Sequence, residues 1–185
     1  MKTKVGVMGS AADISTLNDA EALRKQALAL GKAIAIRDVI LLTGATTGLV
    51  YAVGKAAHDA GVLHVGISPA ISVAEHVARY ALPTDACDLI VYTGFGLKGR
   101  NVVLVRSCDV VLFISGGMGS LNEFTIAHDE GKIIGCLTGT GGVADEAGYL
   151  VEKFSHKAGP RVFEDSDAER LIDMCIAGTT KEMSK

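Results

Sequence analysis

The sequence predicts an α/β protein built on a doubly wound parallel sheet of about six or seven strands, with helices on both faces. Of its 185 residues, 49% are hydrophobic and only 5% are aromatic, a composition typical of buried strands rich in Val, Ile, Leu and Ala. Short apolar runs alternate with stretches of helical periodicity, which is the pattern of right-handed βαβ units. The length fits a single domain over residues 1–185, since no linker or repeat divides the chain.

Six short runs rich in β-branched residues predict strands that are buried on both faces. They are residues 5–8, 39–42, 63–67, 89–92, 110–114 and 133–137. Helical periodicity is clearest over residues 19–35 and 49–60, where apolar residues recur at steps of three and four. Residues 100–107 suit a strand or a helix by composition. We assign a helix, because the next strand follows too closely to allow any other crossover.

Two segments near the C-terminus are assigned from their glycines and caps. The glycines between residues 138 and 149 predict a mobile loop that precedes a helix. Residues 165–177 predict a closing helix with Asp165 or Ser166 as its cap.

Composition excludes several classes of partner. The formal net charge is −3, and the scattered Lys and Arg residues form no basic stripe for a nucleic acid. The cysteines at 87, 108, 136 and 175 form no CxxC pair, so buried free thiols are expected rather than a metal site or disulfides. No apolar run has the length of a signal peptide core or of a membrane span. We therefore expect a cytoplasmic protein without nucleic-acid, membrane or metal partners.

Three glycine turns, at residues 9–12, 43–48 and 115–120, follow predicted strands at the edge where open α/β sheets bind ligands. Glycine lets a phosphate approach backbone N–H donors closely, and a helix amino terminus adds partial positive charge. The candidate phosphate- or nucleotide-binding residues are Gly9, Ser10, Gly44, Gly116, Gly117, Met118, Gly119 and Ser120, with Thr43 as a further candidate. No turn has the Walker or GxGxxG pattern, which favours a ligand smaller than a dinucleotide. The alternative is that the glycines only reverse the chain.

Arg100 and Glu123 are the charged residues expected beside the third turn. The sequence from Ser120 to Glu123 fits a capping box, in which the carboxylate only accepts a backbone N–H. Alternatively, Glu123 lies in the first turn of a phosphate-binding helix and faces the ligand's sugar as acid, base or electrostatic stabiliser. Arg100 follows the fourth predicted strand and would bind phosphate or orient Glu123, unless it is simply solvated.

The residues around the third turn resemble a known motif. Arg100-Asn101, then Cys108-Asp109 and then Gly116 to Glu123 resemble the Arg-Lys and Pro-Gly-Gly-x-Gly-Thr-x-x-Glu signature of the LONELY GUY family. That family hydrolyses nucleoside 5′-monophosphates to free base and ribose 5-phosphate. The two earlier turns extend the similarity over most of residues 4–137.

The resemblance implies a Rossmann-like fold and a homo-oligomer, either a dimer or a dimer of dimers. The phosphate-holding residues that it implies are Gly116, Gly117, Gly119 and Ser120. Arg100 and Glu123 would be the catalytic residues at the ribose, with no cofactor required. A carboxylate at Glu123 would stabilise an oxocarbenium-like centre while water attacks the anomeric carbon. The family's older label, lysine decarboxylase, does not apply, because nothing here marks a pyridoxal lysine.

Three positions differ from the family signature: Asn101 replaces Lys, Ser115 replaces Pro and Ser120 replaces Thr. The pattern Gly99-Arg100-Asn101, together with residues 138–145, looks closer to a sister branch that includes molybdenum-cofactor carrier proteins. A second hypothesis is therefore a non-catalytic carrier or sensor of a phosphorylated nucleotide or of the molybdenum cofactor as a bound ligand. A third is a structural or interaction protein whose glycines only make turns.

The consecutive aliphatic residues 102–105 also predict self-association. Their sequence leaves no polar face for a helix on the surface of a monomer. The expected partners are thus a small-molecule nucleotide or phosphate ester and further copies of the chain.

Overall fold

The structure, a computed structural model, describes residues 1–155 and 161–182 of the chain. In this part of the chain one parallel sheet has the strand order β4-β3-β2-β1-β5-β6-β7. The strands are β1 (Thr3–Gly9), β2 (Val39–Thr43), β3 (His64–Ser68), β4 (Leu89–Tyr92), β5 (Val110–Ile114), β6 (Ile133–Leu137) and β7 (Val162–Asp165). β1 lies at the centre, and the sheet grows from it in both directions.

Helices connect the strands and cover the sheet. They are α1 (Ala20–Ala35), α2 (Gly48–Asp59), α3 (Val73–Ala78), α4 (Gly96–Arg106), α5 (Met118–Asp129), α6 (Val143–Phe154) and α7 (Ala168–Glu182), with a short 3-10 helix (Ile14–Thr16) before α1. Within residues 1–155 and 161–182, none of these helices has the length and hydropathy needed to cross a membrane.

Two apolar layers hold the helices on the sheet. One cluster joins α1, α2 and α7 to one face, and a second joins α4, α5 and α6 to the other. β5 is buried along its whole length, and its side chains alternate between the layers, as strand geometry requires. Leu112 belongs to the first cluster, whereas Phe113 belongs to the second and packs edge-on against Phe124, with ring centroids 5.6 Å apart. This two-sided burial explains the continuous apolar runs in the sequence.

The predicted fold class is confirmed: the sheet is parallel, doubly wound and covered on both faces. All six predicted strands are present with small shifts at their ends, and a seventh, β7, completes the sheet. The ambiguous segment at 100–107 is helical, and its helix begins earlier, at Gly96. α3 was not predicted.

The predicted loop over residues 138–149 is wrong in extent, because α6 already begins at Val143. The carboxylate of Asp145 accepts hydrogen bonds from the backbone N–H groups of Gly139 and Gly141, at 2.8 and 3.0 Å. These bonds close the turn within a few residues. Glycine content indicated the turn, but the Asp145 contacts shorten it.

The predicted start of the closing helix is also wrong. Asp165 ends β7, where it pairs with Leu137 of β6, and α7 begins at Ala168. The carboxylate of Asp167 accepts the N–H of Arg170 at 2.9 Å, so Asp167 rather than Asp165 or Ser166 caps the helix. Pairing with β6 holds Asp165 in a strand, a tertiary contact that local sequence does not specify.

Candidate functional site

The crevice of the site lies where the strand order reverses, between β1 and β5. The two strands end level, with Gly9 opposite Ile114. A Cβ on Gly9 would overlap the carbonyl oxygen of Ile114, so the glycine allows this close approach. Open α/β sheets bind ligands at such switch points because helix amino termini converge there.

A cavity of about 370 Å³ opens at this crevice. Its walls come from the end of β1, the turns that follow β1 and β2, Val50 of α2 and the first two turns of α4 and α5. The predicted site residues that line it are Gly9, Ser10, Gly44, Arg100, Asn101, Gly117, Gly119, Ser120 and Glu123. The structure therefore brings residues that are far apart in sequence together around one cavity.

Three predicted site residues do not line the cavity. Gly116 forms the tight turn before α5, with a φ of 111° that favours glycine. The side chain of Met118 is exposed to solvent, so the candidate donor at this position is its backbone N–H, in the first turn of the helix. Thr43 is buried behind Gly44.

The amino terminus of α5 is open. Gly117 precedes its first residue, and a Cβ on Gly117 would meet nothing within 4 Å. Within the described part of the chain, no acceptor bonds to the N–H groups of residues 117–119. Free N–H groups at a helix amino terminus are the donors that bind phosphate.

Ser120 fixes this terminus to the sheet. Its hydroxyl donates to the carbonyl oxygen of Gly9 at 3.0 Å, and the side chain is buried. The capping-box alternative is wrong, and so is the predicted position of Glu123 in the first turn, because α5 begins at Met118 and places Glu123 in its second turn. The carboxylate of Glu123 therefore does not cap the first turn of α5.

The turn that follows β6 supports the α5 terminus from behind. The hydroxyl of Thr140 accepts the N–H of Ser115 at 2.8 Å, and the N–H of Val143 donates to the carbonyl of Gly116 at 2.9 Å. A Cβ on Gly142 would overlap that same carbonyl. These contacts hold Ser115 in the left-handed region, with a φ of 55°. In the sequence, their only sign is the glycines at 139, 141 and 142.

The amino terminus of α2, by contrast, is closed. The N–H of Leu49 donates to the carbonyl of Ser10 at 2.9 Å, and the hydroxyl of Thr47 donates to the carbonyl of Ala11 at 2.6 Å. A Cβ on Gly48 would lie 2.6 Å from the carbonyl oxygens of Ser10 and Ala12. The loop after β1 thus occupies the place where an anion would bind.

Gly44 makes room for Arg100. A Cβ on Gly44 would lie 2.7 Å from the Cζ atom of Arg100. Arg100 lies in the second turn of α4, and its side chain is only 8% exposed, which is far from the solvated arginine considered above. Its Nε atom is buried without a hydrogen-bond partner among the described residues.

Arg100 and Glu123 form a loose, buried ion pair. Nη1 of Arg100 lies 3.6 Å from Oε1 of Glu123, and the Glu123 side chain is 9% exposed. Burial raises the pKa of Glu123 to about 7, and the Arg100 guanidinium opposes this rise. Burial also lowers the pKa of Arg100 from its usual value. Because the atoms are too far apart for a hydrogen bond, both groups keep bonding capacity for a ligand.

Asn101 lies beside Glu123. With the amides of Asn101 and Asn122 both turned so that donors face acceptors, Asn101 donates to Oε1 of Glu123 at 3.1 Å and to the carbonyl of Leu97 at 3.0 Å, and its oxygen accepts from the Asn122 amide at 2.9 Å. The side chain is buried. A neutral amide thus orients the carboxylate without adding the positive charge that a lysine would bring.

Lys98 belongs to the site although it was not predicted. It lines the cavity, and its Nζ atom lies 3.9 Å from the position that a Cβ on Gly119 would occupy. Lys98 and Asn101 are three residues apart on α4, so they share a helix face. The predicted helix begins at residue 100, so this spacing locates Lys98 only once the helix is extended back to Gly96.

A buried histidine supports the turn after β2. Nε2 of His64 is 2.8 Å from the hydroxyl of Thr43, which also accepts the N–H of Ala45 at 3.2 Å. Nδ1 of His64 is bonded to the carbonyl of Ala86. Burial lowers the pKa of His64 to about 4, so the ring is neutral and accepts the Thr43 proton. Thr43 therefore stabilises the backbone turn at Gly44, against which the Arg100 side chain packs.

A family model, that of the SLOG cluster4 family, matches residues 2–172. An uncharacterized protein of Archaeoglobus fulgidus is 30% identical over 152 residues, which are 82% of this chain and 84% of that protein.

Two solved structures are similar along nearly the whole chain. That of TM1055 is 25% identical, with a TM-score of 0.83, and the match covers 95% of this chain and 99% of that one. The molybdenum cofactor carrier protein of Chlamydomonas reinhardtii is 26% identical, with a TM-score of 0.69 and complete coverage of both chains.

Proposed function

The chain belongs to the SLOG cluster4 family, and we propose that it binds a nucleoside 5′-monophosphate or a similar phosphate ester. The single observation that carries this proposal is the open amino terminus of α5, where the N–H groups of residues 117–119 have no acceptor among the described residues and Gly117 and Gly119 line the cavity. The phosphate would bind these groups. The cavity of about 370 Å³ has the size of a small-molecule site.

The reaction proposed is hydrolysis of the N-glycosidic bond. With the phosphate on α5, the sugar would lie toward Arg100 and Glu123, which line the same cavity. The bond between C1′ and the base breaks, its electron pair leaves with the base, and water adds to C1′. The proton released from water balances the one gained by the base. An ionised Glu123 would stabilise the positive charge that develops at C1′, and Arg100 would bind phosphate or sugar oxygens.

The test is release of free base from a panel of nucleoside 5′-monophosphates. Glu123→Gln keeps the size and hydrogen bonds of the side chain but removes its charge, so we expect the rate to fall about 100-fold or more. Ligand affinity should change little. Glu146→Gln, at an exposed position of α6, is the matched control. A wild-type protein that releases no base from any substrate would refute hydrolysis.

The pH dependence of kcat distinguishes two possible roles of Glu123. Its pKa is about 7 because the carboxylate is buried, so the fraction in the ionised form rises up to and beyond neutral pH. If the carboxylate stabilises the transition state, kcat rises with pH and levels off above about 7. A kcat that falls across this range would instead make Glu123 a proton donor.

A second candidate function is carriage of a phosphorylated ligand without chemistry. The observation that favours it is Asn101, which bonds to Glu123 as a neutral amide, together with the similarity to a molybdenum cofactor carrier protein. The phosphate of a molybdopterin would use the same α5 donors. Native mass spectrometry with molybdopterin is the test. A one-to-one complex from which unchanged ligand is recovered, without base release from nucleotides, would favour the carrier.

We also propose that the chain forms a homodimer. In α4, Leu104 and Val105 are buried within the subunit, so the predicted reason for self-association is weakened. Val102 of α4 is exposed, and further exposed apolar residues lie on the edge strand β4, at Leu89 and Val91, and just before α4, at Phe95. An unpaired edge with apolar side chains favours association with a second copy. Light scattering should give a dimer for the wild type and a monomer when Leu89 and Val91 are both replaced by Lys.

A further inference from the structure

Lys98 lies where a positive charge is unfavourable. It occupies the first turn of α4, and its Nζ atom is also close to Gly119 in the first turn of α5. The amino terminus of a helix carries partial positive charge, so a cation in the first turn lowers stability. Two helix dipoles therefore act against the same ammonium group.

The other helices show the opposite arrangement or a closed terminus. Acidic side chains occupy the first turns of several helices away from the cavity: Glu21 in α1, Glu75 in α3, Asp145 and Glu146 in α6, and Glu169 in α7. α2 has none, but carbonyl groups close its terminus. α4 and α5, the helices that begin at the cavity, have no acid in their first turns.

Lys98 is exposed to solvent and forms no ion pair or hydrogen bond within the described part of the chain. The carboxylate whose pKa its charge lowers is that of Glu123. Glu123 is the acidic residue that lines the cavity, and it already lies beside Arg100. The Nε atom of Arg100 is also buried without a partner, in a side chain that is 8% exposed. Two cations and a helix terminus thus surround a cavity with a single carboxylate.

We propose that Lys98 selects ligands with a phosphomonoester dianion over phosphodiesters and unphosphorylated sugars. This inference rests on the proposed function, since it assumes that the phosphate binds at the α5 terminus. A phosphomonoester carries a charge of about −1.5 to −2 at neutral pH, whereas a diester carries a single charge. The second charge is what the Lys98 ammonium group would neutralise, and the N–H donors would bind either ester.

The test is calorimetric titration of the full chain with ribose 5-phosphate, its methyl phosphodiester and ribose. We expect the wild type to bind ribose 5-phosphate about tenfold or more tightly than the diester, a difference of about 1.4 kcal/mol. Lys98→Gln should lose about tenfold in affinity for ribose 5-phosphate and keep its affinity for the diester within about threefold. Lys98→Arg should retain the preference. Lys32→Gln, at an exposed position in the last turn of α1, should leave all affinities unchanged.

Three outcomes of the titration would overturn the inference. If Lys98→Gln weakens both esters equally, or neither, the residue does not select by charge, while the proposed function stands. If neither ester binds to the wild type, the inference and the binding of ribose phosphates fail together.

Thermal unfolding without ligand gives an independent readout. Because Lys98 acts against two helix dipoles, Lys98→Gln should raise Tm by about 1–4 °C. Lys32→Gln should not raise it, since a cation suits the last turn of α1. A Tm that falls in Lys98→Gln would mean that the lysine serves the fold rather than a ligand.

Discussion

The amino termini of α2 and α5 both follow glycine turns, but one is closed and the other is open. Each follows a glycine turn at the carboxyl end of a buried parallel strand, with Gly48 at the start of α2 and Gly117 just before α5. In α2 the carbonyl of Ser10 takes the N–H of Leu49, whereas at α5 a Cβ on Gly117 would meet only open space. A glycine turn therefore indicates a backbone that permits anion binding, and neighbouring loops decide whether its donors are free.

The largest effect is expected at the closed terminus. Gly48 has a φ of 69°, and a Cβ there would lie 2.6 Å from the carbonyl oxygens of Ser10 and Ala12. Gly48→Ala should lower the free energy of unfolding by about 3 kcal/mol, from the left-handed conformation and the backbone clash together. Urea unfolding measures it. A loss below about 1 kcal/mol would show that the loop after β1 does not hold this terminus closed.

The same substitution at the open terminus should act on binding instead of stability. Gly117 has a φ of −107°, outside the left-handed region that favours glycine, and the methyl group would enter the cavity that Gly117 lines. Gly117→Ala should weaken ribose 5-phosphate binding about tenfold, or about 1.4 kcal/mol, with unfolding changed by less than about 0.5 kcal/mol. Titration and urea unfolding of both alanine variants compare the two termini directly. Unchanged affinity would place the phosphate elsewhere.

The two helix termini also show how much of the site can be predicted from the sequence. The strands, the glycine turns and the meeting of Arg100 with Glu123 were predictable, because strand ends of a parallel sheet share one edge. The closure of α2 was not, since it depends on carbonyl groups of a loop some 40 residues away in sequence. Lys98 was missed because its role depends on two helix termini at once. Arg100 can be buried because Gly44 has no side chain. The sequence had instead predicted that Gly44 binds the phosphate.

A third, smaller effect tests that role of Gly44. Gly44→Ala would bring a methyl group within 2.7 Å of Cζ of Arg100 and displace the guanidinium group, whose far end can move. We expect ribose 5-phosphate affinity to fall about fivefold, or about 1 kcal/mol. In an Arg100→Ala background the same change should have no further effect, because the clash is absent. Additive losses in this double-mutant cycle would mean that Gly44 acts on the ligand without Arg100.

The smallest effect on ligand affinity is expected at Thr43, in the turn that follows β2. Thr43→Val removes the hydroxyl that donates to His64 and accepts the N–H of Ala45, and it should cost about 1 kcal/mol of stability. Thr43→Ser keeps both bonds and is the matched control. Because Thr43 touches the ligand cavity only through Gly44, we expect affinity for ribose 5-phosphate to change by less than about twofold, far less than in Gly117→Ala. A loss of affinity as large as that of Gly117→Ala, with Thr43→Ser unaffected, would place a binding role in the closed turn and remove the distinction between the two termini.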